Sequence, residues 1–287
     1  SGLSVRQIAR AFLVSEAAME QRITRAKRQV GAGGVAFGAP TPAERAERVA
    51  AVLAMLYLVF NEGYSAGDNP ARAEFCGEAI RLTRLLLRLY QTEPEVMGLL
   101  ALMLIQHARS PARFDEDGQI ILLEDQDRGR WDGKMIAEGL ALIDKAMRHR
   151  RPGPYQVQAA IAALHVRAST PAETDWAQID RLYATLERLT PSPVVTLNRA
   201  VAVSKVEGPQ AALDMVEPLA DRLGGYFHFY GLKGALLLEL GRKPEAREAF
   251  DRAIALANTA AEAAHIRQHL DRLIQEHAPP ADQPGAA

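Results

Sequence analysis

Ala200 and Gly234 stand 34 residues apart, and Gly208 and Gly241 stand 33 apart, each set in an apolar helical pattern. A recurrence of that length is one helical hairpin long, and it demands stacked helix pairs that bury a continuous core. The clearest copy runs over residues 227–258, where Gly234, Gly241, Ala246, Phe250 and Ala253 recur at helical spacing. Small residues let paired helices approach, and Phe250 fills the space between them. A weaker copy covers residues 194–220. From about Thr174 the periodicity predicts pairs at 174–190 with 193–206, 209–223 with 226–241, and 244–257 with 260–276, the last helix capping the stack.

The upstream chain is also helical. Ala and Leu abound and aromatic residues make up only 6%, a balance that favours helices. A helix is predicted from Pro42 to Asn61, its Val49, Val52, Leu53, Leu56, Val59 and Phe60 forming a face broad enough for a central position. Gly63 can close it in the left-handed conformation. Residues 70–90 follow, with Ile80, Leu82, Leu85, Leu86 and Leu89 inward and Arg81, Arg84 and Arg88 as a basic row. Pro94 opens a third helix to about Ser110, where Gly98 permits close approach of a neighbour. Residues 111–132 are the least regular, with a turn at Asp117-Gly118. Helix resumes over 132–151 and again after Pro152-Gly153-Pro154. The expectation is an all-α chain: a head at 1–30, a Gly- and Pro-rich linker at 31–42, a bundle at 43–170, helical repeats at 171–277 and a disordered tail at 278–287. The lone Cys76 excludes an internal disulfide framework and fits a reducing, cytoplasmic setting. The longest apolar run, Val49 to Phe60, is too short to span a bilayer, so no membrane partner is expected.

The head has the grammar of a helix-turn-helix. Ser4 and Ser15 are placed to cap two successive helices. In the second, Met19, Ile23, Ala26 and Val30 form one apolar stripe, and Ala17, Gln21, Thr24 and Arg28 lie opposite, flanked by Glu20 and Arg25. The first 30 residues hold six basic groups against two acids, a net of +4, while the whole chain carries 34 basic and 35 acidic residues. A basic head on an acidic body points to nucleic acid or another acidic partner at the head only. The Gly2-Leu3-Ser4 start, Ile8-Ala9, the turn before Ser15 and the Arg25-Ala26 pair resemble the end of region four of an extracytoplasmic-function sigma factor. Leu13 stands where that turn usually has Gly, and Ala18 where Thr is usual. The rest resembles the long tetratricopeptide-like extension of one sigma subgroup. The resemblance implies promoter −35 recognition within RNA polymerase holoenzyme, with core polymerase and promoter DNA as partners and the earlier sigma regions missing. It implies DNA contacts from Ser15, Glu20, Gln21, Arg22, Thr24, Arg25 and Arg28. Of these, Glu20 suits a cytosine amino group and Gln21 an adenine.

The remaining polar phrases carry no recognisable catalytic order. No G-x-S-x-G elbow, phosphate loop, dinucleotide fingerprint or zinc-finger spacing occurs, so neither an enzyme nor a cofactor is expected. Asn61, Glu62 and Tyr64, together with Asn198 and Arg199, read first as hydrogen bonds between helices. Their second reading is a surface for a protein or peptide partner, joined by Leu13. An enzyme reading would make Glu62 an acid or base. The acids around 115–132 lack the alternation of a calcium loop. Glu124 to Arg128 with Trp131 instead reads as a polar staple that caps neighbouring helices. His265 and His269 share a face without a third ligand, and His165 and His228 read as packed residues. No metal is expected. The rival to the transcription reading is a pure interaction scaffold, which salt-dependent promoter binding would separate from it.

Overall fold

The computed structural model describes residues 4–12, 14–32, 41–64, 70–257, 263–264 and 266–267. Among them the fold is all-α. The head is α1 (Val5–Ala11) and α2 (Glu16–Ala32), and the bundle begins with α3 (Pro42–Tyr64), α4 (Pro70–Leu89) and α5 (Pro94–His107). It continues through α6 (Gly133–Met147) and α7 (Pro154–Arg167). The repeats are α8 (Trp176–Leu189), α9 (Pro193–Val206), α10 (Pro209–Val216), α11 (Ala220–Leu223), α12 (Phe227–Glu239) and α13 (Lys243–Leu256).

Helix starts follow local chemistry. Thr41 and Glu44 form a reciprocal capping box, the Thr41 N–H donating to Glu44 Oε2 at 2.8 Å and the Glu44 N–H to Thr41 Oγ1 at 3.3 Å. The Thr41 N–H and hydroxyl, both donating to Glu44 Oε2 at 2.8 Å, hold the Glu44 carboxyl below its usual range. Asp132, Asp175 and Ser192 accept from the first N–H groups of α6, α8 and α9. Pro occupies the first turn of α5, α7, α9, α10 and α13, where its missing N–H costs nothing.

The bundle is centred on α5, not on α3. Eleven α5 residues are buried, from Pro94 and Val96 through Ile105, because α3, α4, α6 and α7 all pack around it. The outer face of α3, including Met55, stays in solvent. Gly98 and Gly139 serve this packing. A methyl group on Gly98 would come within 2.6 Å of the Gln156 backbone nitrogen, and one on Gly139 within 2.7 Å of Ile105. The inward row expected on α4 is only half right: Ile80 is buried and Leu82 and Leu86 are partly so, while Leu85 and Leu89 are exposed. They lie beyond the stripe that α3 and α5 cover. The Arg81 and Arg84 side chains pair with Glu78 at 2.7 Å and Glu138 at 2.6 Å.

In the repeats, α8 packs with α9, α9 with α10, α10 with α12, and α12 with α13. Gly208 and Gly241, the residues 33 apart, both take positive φ, 96° and 73°, at equivalent turns. Phe250 is fully buried against Gly234. Ile266 adds to the same core. Apart from residues 263–264 and 266–267, the expected capping helix, with His265 and His269, lies outside the described residues, as do Leu13 and residues 33–40 of the linker. His228 is exposed rather than packed, its ring edge-on to Tyr226 and Phe227.

The stretch 111–132 carries an isolated bridge from Phe114 to Ile120 around the Gly118 turn, whose φ is 74°. It closes into the staple expected of it. Asp127 accepts from the Gly129 N–H at 2.9 Å, Trp131 is buried, and Arg128 lies over the Trp131 ring while donating to the carbonyls of His165 and Ala168 at 2.8 Å each. Those carbonyls belong to the end of α7, so Arg128 caps that helix. Glu124 and Asp125 remain exposed.

Candidate nucleic-acid interface and its contact with the bundle

The head forms as the sequence directs. The Ser4 Oγ accepts from the Gln7 N–H at 3.3 Å, and Gln7 Oε1 accepts from the Ser4 N–H at 2.6 Å, a closed capping box for α1. The Ser15 Oγ accepts from the Ala18 N–H at 3.3 Å and starts α2. Ala9 and Met19 are buried where the helices cross, and Ile23 is half-buried. Ala26 and Val30, expected on the same buried stripe, are exposed. The seven-residue α1 covers only the first turns of the longer α2. On the other side, Ser15, Glu20, Gln21, Arg22, Thr24, Arg25 and Arg28 are all exposed. That surface is open along its length to a partner.

A second group of residues ties the head to the bundle. Gln7 Nε2 donates to Glu62 Oε1 at 2.7 Å, although 55 residues separate them. Glu62 is buried on the last turn of α3. Gln7 therefore caps α1 through its oxygen and docks it through its nitrogen. Asn61 bonds to the Tyr57 side chain one turn earlier. Tyr57, whose hydroxyl donates to Gln158 Oε1 at 3.2 Å, is held above its ordinary pKa by burial. Tyr64 stacks on Phe60, with ring centroids 5.7 Å apart.

The end of α3 departs from the sequence reading. Gly63 lies inside the helix and is not its left-handed stop. The helix continues through Tyr64, whose carbonyl accepts from Arg113 Nη1 at 2.7 Å. Glu62 and Tyr64 thus stand together at this end. Arg199 is elsewhere, donating to Asp180 at 2.7 Å and Glu187 at 2.8 Å and so clamping α9 to α8. Asn198 beside it is exposed. Neither belongs with the head contact.

A cavity of about 860 Å³ opens on another side of the bundle, lined by Tyr57, Tyr90, Tyr155, Arg45 and Arg151 among others. Glu95 at its edge accepts from the N–H groups of Tyr155 and Gln156 at 3.1 and 3.2 Å, capping α7. Cys76 is buried, its thiol donating to the Phe60 carbonyl at 3.4 Å, and burial pushes its pKa up to about 11. Among the described residues no helix is long and apolar enough to cross a membrane.

Sequence reasoning missed Gln7, Arg109 and Arg113. The Ser4-x-x-Gln7 spacing is a readable capping box, but its second bond depends on a residue 55 positions away. In comparison with known proteins, residues 48–147, from α3 through α6, match a family of unknown function (DUF6596). Over 285 residues the chain is 68% identical to the uncharacterized protein R00370 of Rhizobium meliloti (strain 1021), a match covering 99% of this chain and 67% of that protein. No solved structure matches.

Proposed function

The chain belongs to the family of the rhizobial protein R00370, and we propose that it acts in transcription initiation, binding promoter −35 DNA within RNA polymerase holoenzyme. The observation that carries this reading is the α2 surface. Glu20, Gln21, Arg22, Thr24, Arg25 and Arg28 face solvent while Ala9 and Met19 seal the opposite side against α1. A helix braced from behind and basic in front suits a major groove, where arginines neutralise phosphates and short polar side chains meet base edges. Its role is positioning, with no bond made or broken.

In the same reading the bundle and repeats regulate the head by contact. The Gln7–Glu62 bond supports this, because it engages α1 and leaves the α2 surface free. The test is binding of a fluorescent duplex carrying a −35 element by this chain with RNA polymerase core, followed by anisotropy as salt is raised. Exchanging Arg25 and Arg28 for Ala together should weaken binding at all sequences and flatten the salt dependence. Unchanged affinity and slope would leave the interaction-scaffold reading in its place.

A further inference from the structure

The cavity of about 860 Å³ carries chemistry that the head does not use. Arg45, Ala46, Val49, Ala50, Leu53 and Tyr57 recur along one face of α3 and form its first wall. That helix packs on α4 and α5. Towards α7 it reaches through Tyr57, whose ring meets the Tyr155 ring edge-on, with centroids 5.5 Å apart. Tyr155 and Gln158 of α7 line the facing wall, and Tyr90, just after α4, joins them. Four charged side chains also line the cavity: Arg45, Glu93, Glu95 and Arg151. Three of them are engaged. Glu95 accepts from the N–H groups of Tyr155 and Gln156 and from Gln156 Nε2 at 3.0 Å. Gly153 leaves room for that carboxylate, which a methyl group there would strike. Glu93 pairs with Arg151 at 3.6 Å. Arg45, exposed in the first turn of α3, has no ion pair or side-chain hydrogen bond among the described residues. The Tyr90 and Tyr155 hydroxyls likewise meet no acceptor among them. Burial, then Tyr57 and Glu95, hold Tyr155 above its ordinary pKa, so its hydroxyl stays a donor.

An enclosure of this size, mostly apolar with a few convergent polar groups, has the form of a small-molecule site. Its balance of charge selects the ligand. Both carboxylates are already satisfied, so a cation entering the cavity finds no free acid and meets Arg45. An anion finds one unpaired guanidinium, whose planar fork matches a single carboxylate, and phenol hydroxyls able to donate. Between the walls, Val49 and Leu53 give an apolar floor and the tyrosines give ring edges and faces, which suit a flat aromatic body. We propose that this cavity binds a small aromatic carboxylate, its ring between α3 and α7 and its carboxylate on Arg45. The site stands independently of the transcription reading, although Glu62, which docks the head, lies on the same helix.

The probe is naphthoate, titrated into the full chain and followed by calorimetry. The expected result is saturable binding to one site, weakened about tenfold or more in Arg45→Gln through loss of a charge-assisted hydrogen bond. Ala50→Trp, which fills the cavity from an exposed position on α3, should abolish it. Arg81→Gln, at a surface arginine already paired with Glu78, should retain it. Naphthylmethylammonium keeps the ring and reverses the charge, and octanoate keeps the charge without the ring. Each should bind roughly tenfold more weakly than naphthoate or worse. No saturable heat with naphthoate, or undiminished binding in Arg45→Gln or in Ala50→Trp, would overturn the proposal. So would equal affinity for the ammonium, which would assign the tyrosines to a cation, or for octanoate, which would assign the cavity to aliphatic chains. Arg45 and Ala50 are both exposed, so neither change removes a core contact, and circular dichroism of each variant checks that its helices are intact.

Discussion

Phe250 and Gly234 concentrate the packing of the last hairpin in one contact. A methyl on Gly234 would sit 2.5 Å from Phe250 Cε1, closer than any real contact. Phe250→Ala should therefore cost about 3–5 kcal/mol through the cavity it leaves, and Gly234→Ala about 1–3 kcal/mol through overpacking. The two changes combined should cost less than their sum, because the smaller side chain makes room for the new methyl. Denaturant midpoints of the four proteins measure this, and strict additivity would show that the pair does not touch. His165 makes a pH prediction. Burial, aided by Arg109 and Arg128, lowers its pKa from 6.5 to about 4 in the folded chain. The unfolded chain then binds more protons between those values, so stability is whole above about pH 6.5 and falls as pH drops toward 4. The loss attributable to His165 is on the order of 2–3 kcal/mol, and His165→Leu should flatten that part of the curve in urea titrations. Phe250 was legible in the sequence because the 34-residue recurrence marks it. The environment of His165 was not, since its cations come from the turn after α5 and the loop before α6.

At the scale of the element, helix starts were readable and one important long-range contact was not. Ser4, Ser15, Thr41 and Asp132 act on their own helices within three residues, so the pattern contains the cause. The Tyr64 carbonyl near the end of α3 is met by Arg113, 49 residues onward, and no local rule could supply that contact. The same limit explains the rank of α5. Its strongly apolar sequence was visible, but which helix sits at the centre depends on how many neighbours surround it. The α2 surface follows from local pattern alone, and its prediction is correspondingly direct. Arg25→Ala and Arg28→Ala should each reduce the slope of log affinity against log salt by about 1 if each meets one phosphate. Gln21→Ala should leave that slope alone and relax base preference at one position by about 1–3 kcal/mol. Competition between duplexes that differ at single positions separates the two classes, and identical behaviour of all three variants would remove the recognition role from α2.

For the whole molecule the question is whether head and bundle move as one body. The net charges, +4 on the first 30 residues and a small negative excess on the rest, favour encounter but not a fixed geometry. Geometry comes from Gln7, held by its own capping box and bonded to buried Glu62. Because the box fixes the Gln7 side chain before docking, little rotamer entropy remains to be lost when the second bond forms. Such a bond contributes about 0.5–1.5 kcal/mol, enough to favour the docked arrangement yet small enough for a partner to reverse. Docking through α1 also leaves the α2 surface exposed, so the contact braces the head without hiding its basic face. A double-mutant cycle tests this. Gln7→Ala and Glu62→Ala should each speed amide hydrogen exchange across residues 5–11, and the double variant should add little to either single one. Exchange within α12 and α13 should not change, because the head packs on the bundle through α1 against α3. Rapid independent tumbling of residues 5–32 in the unaltered chain, with no coupling between the two substitutions, would reduce the connection to a tether.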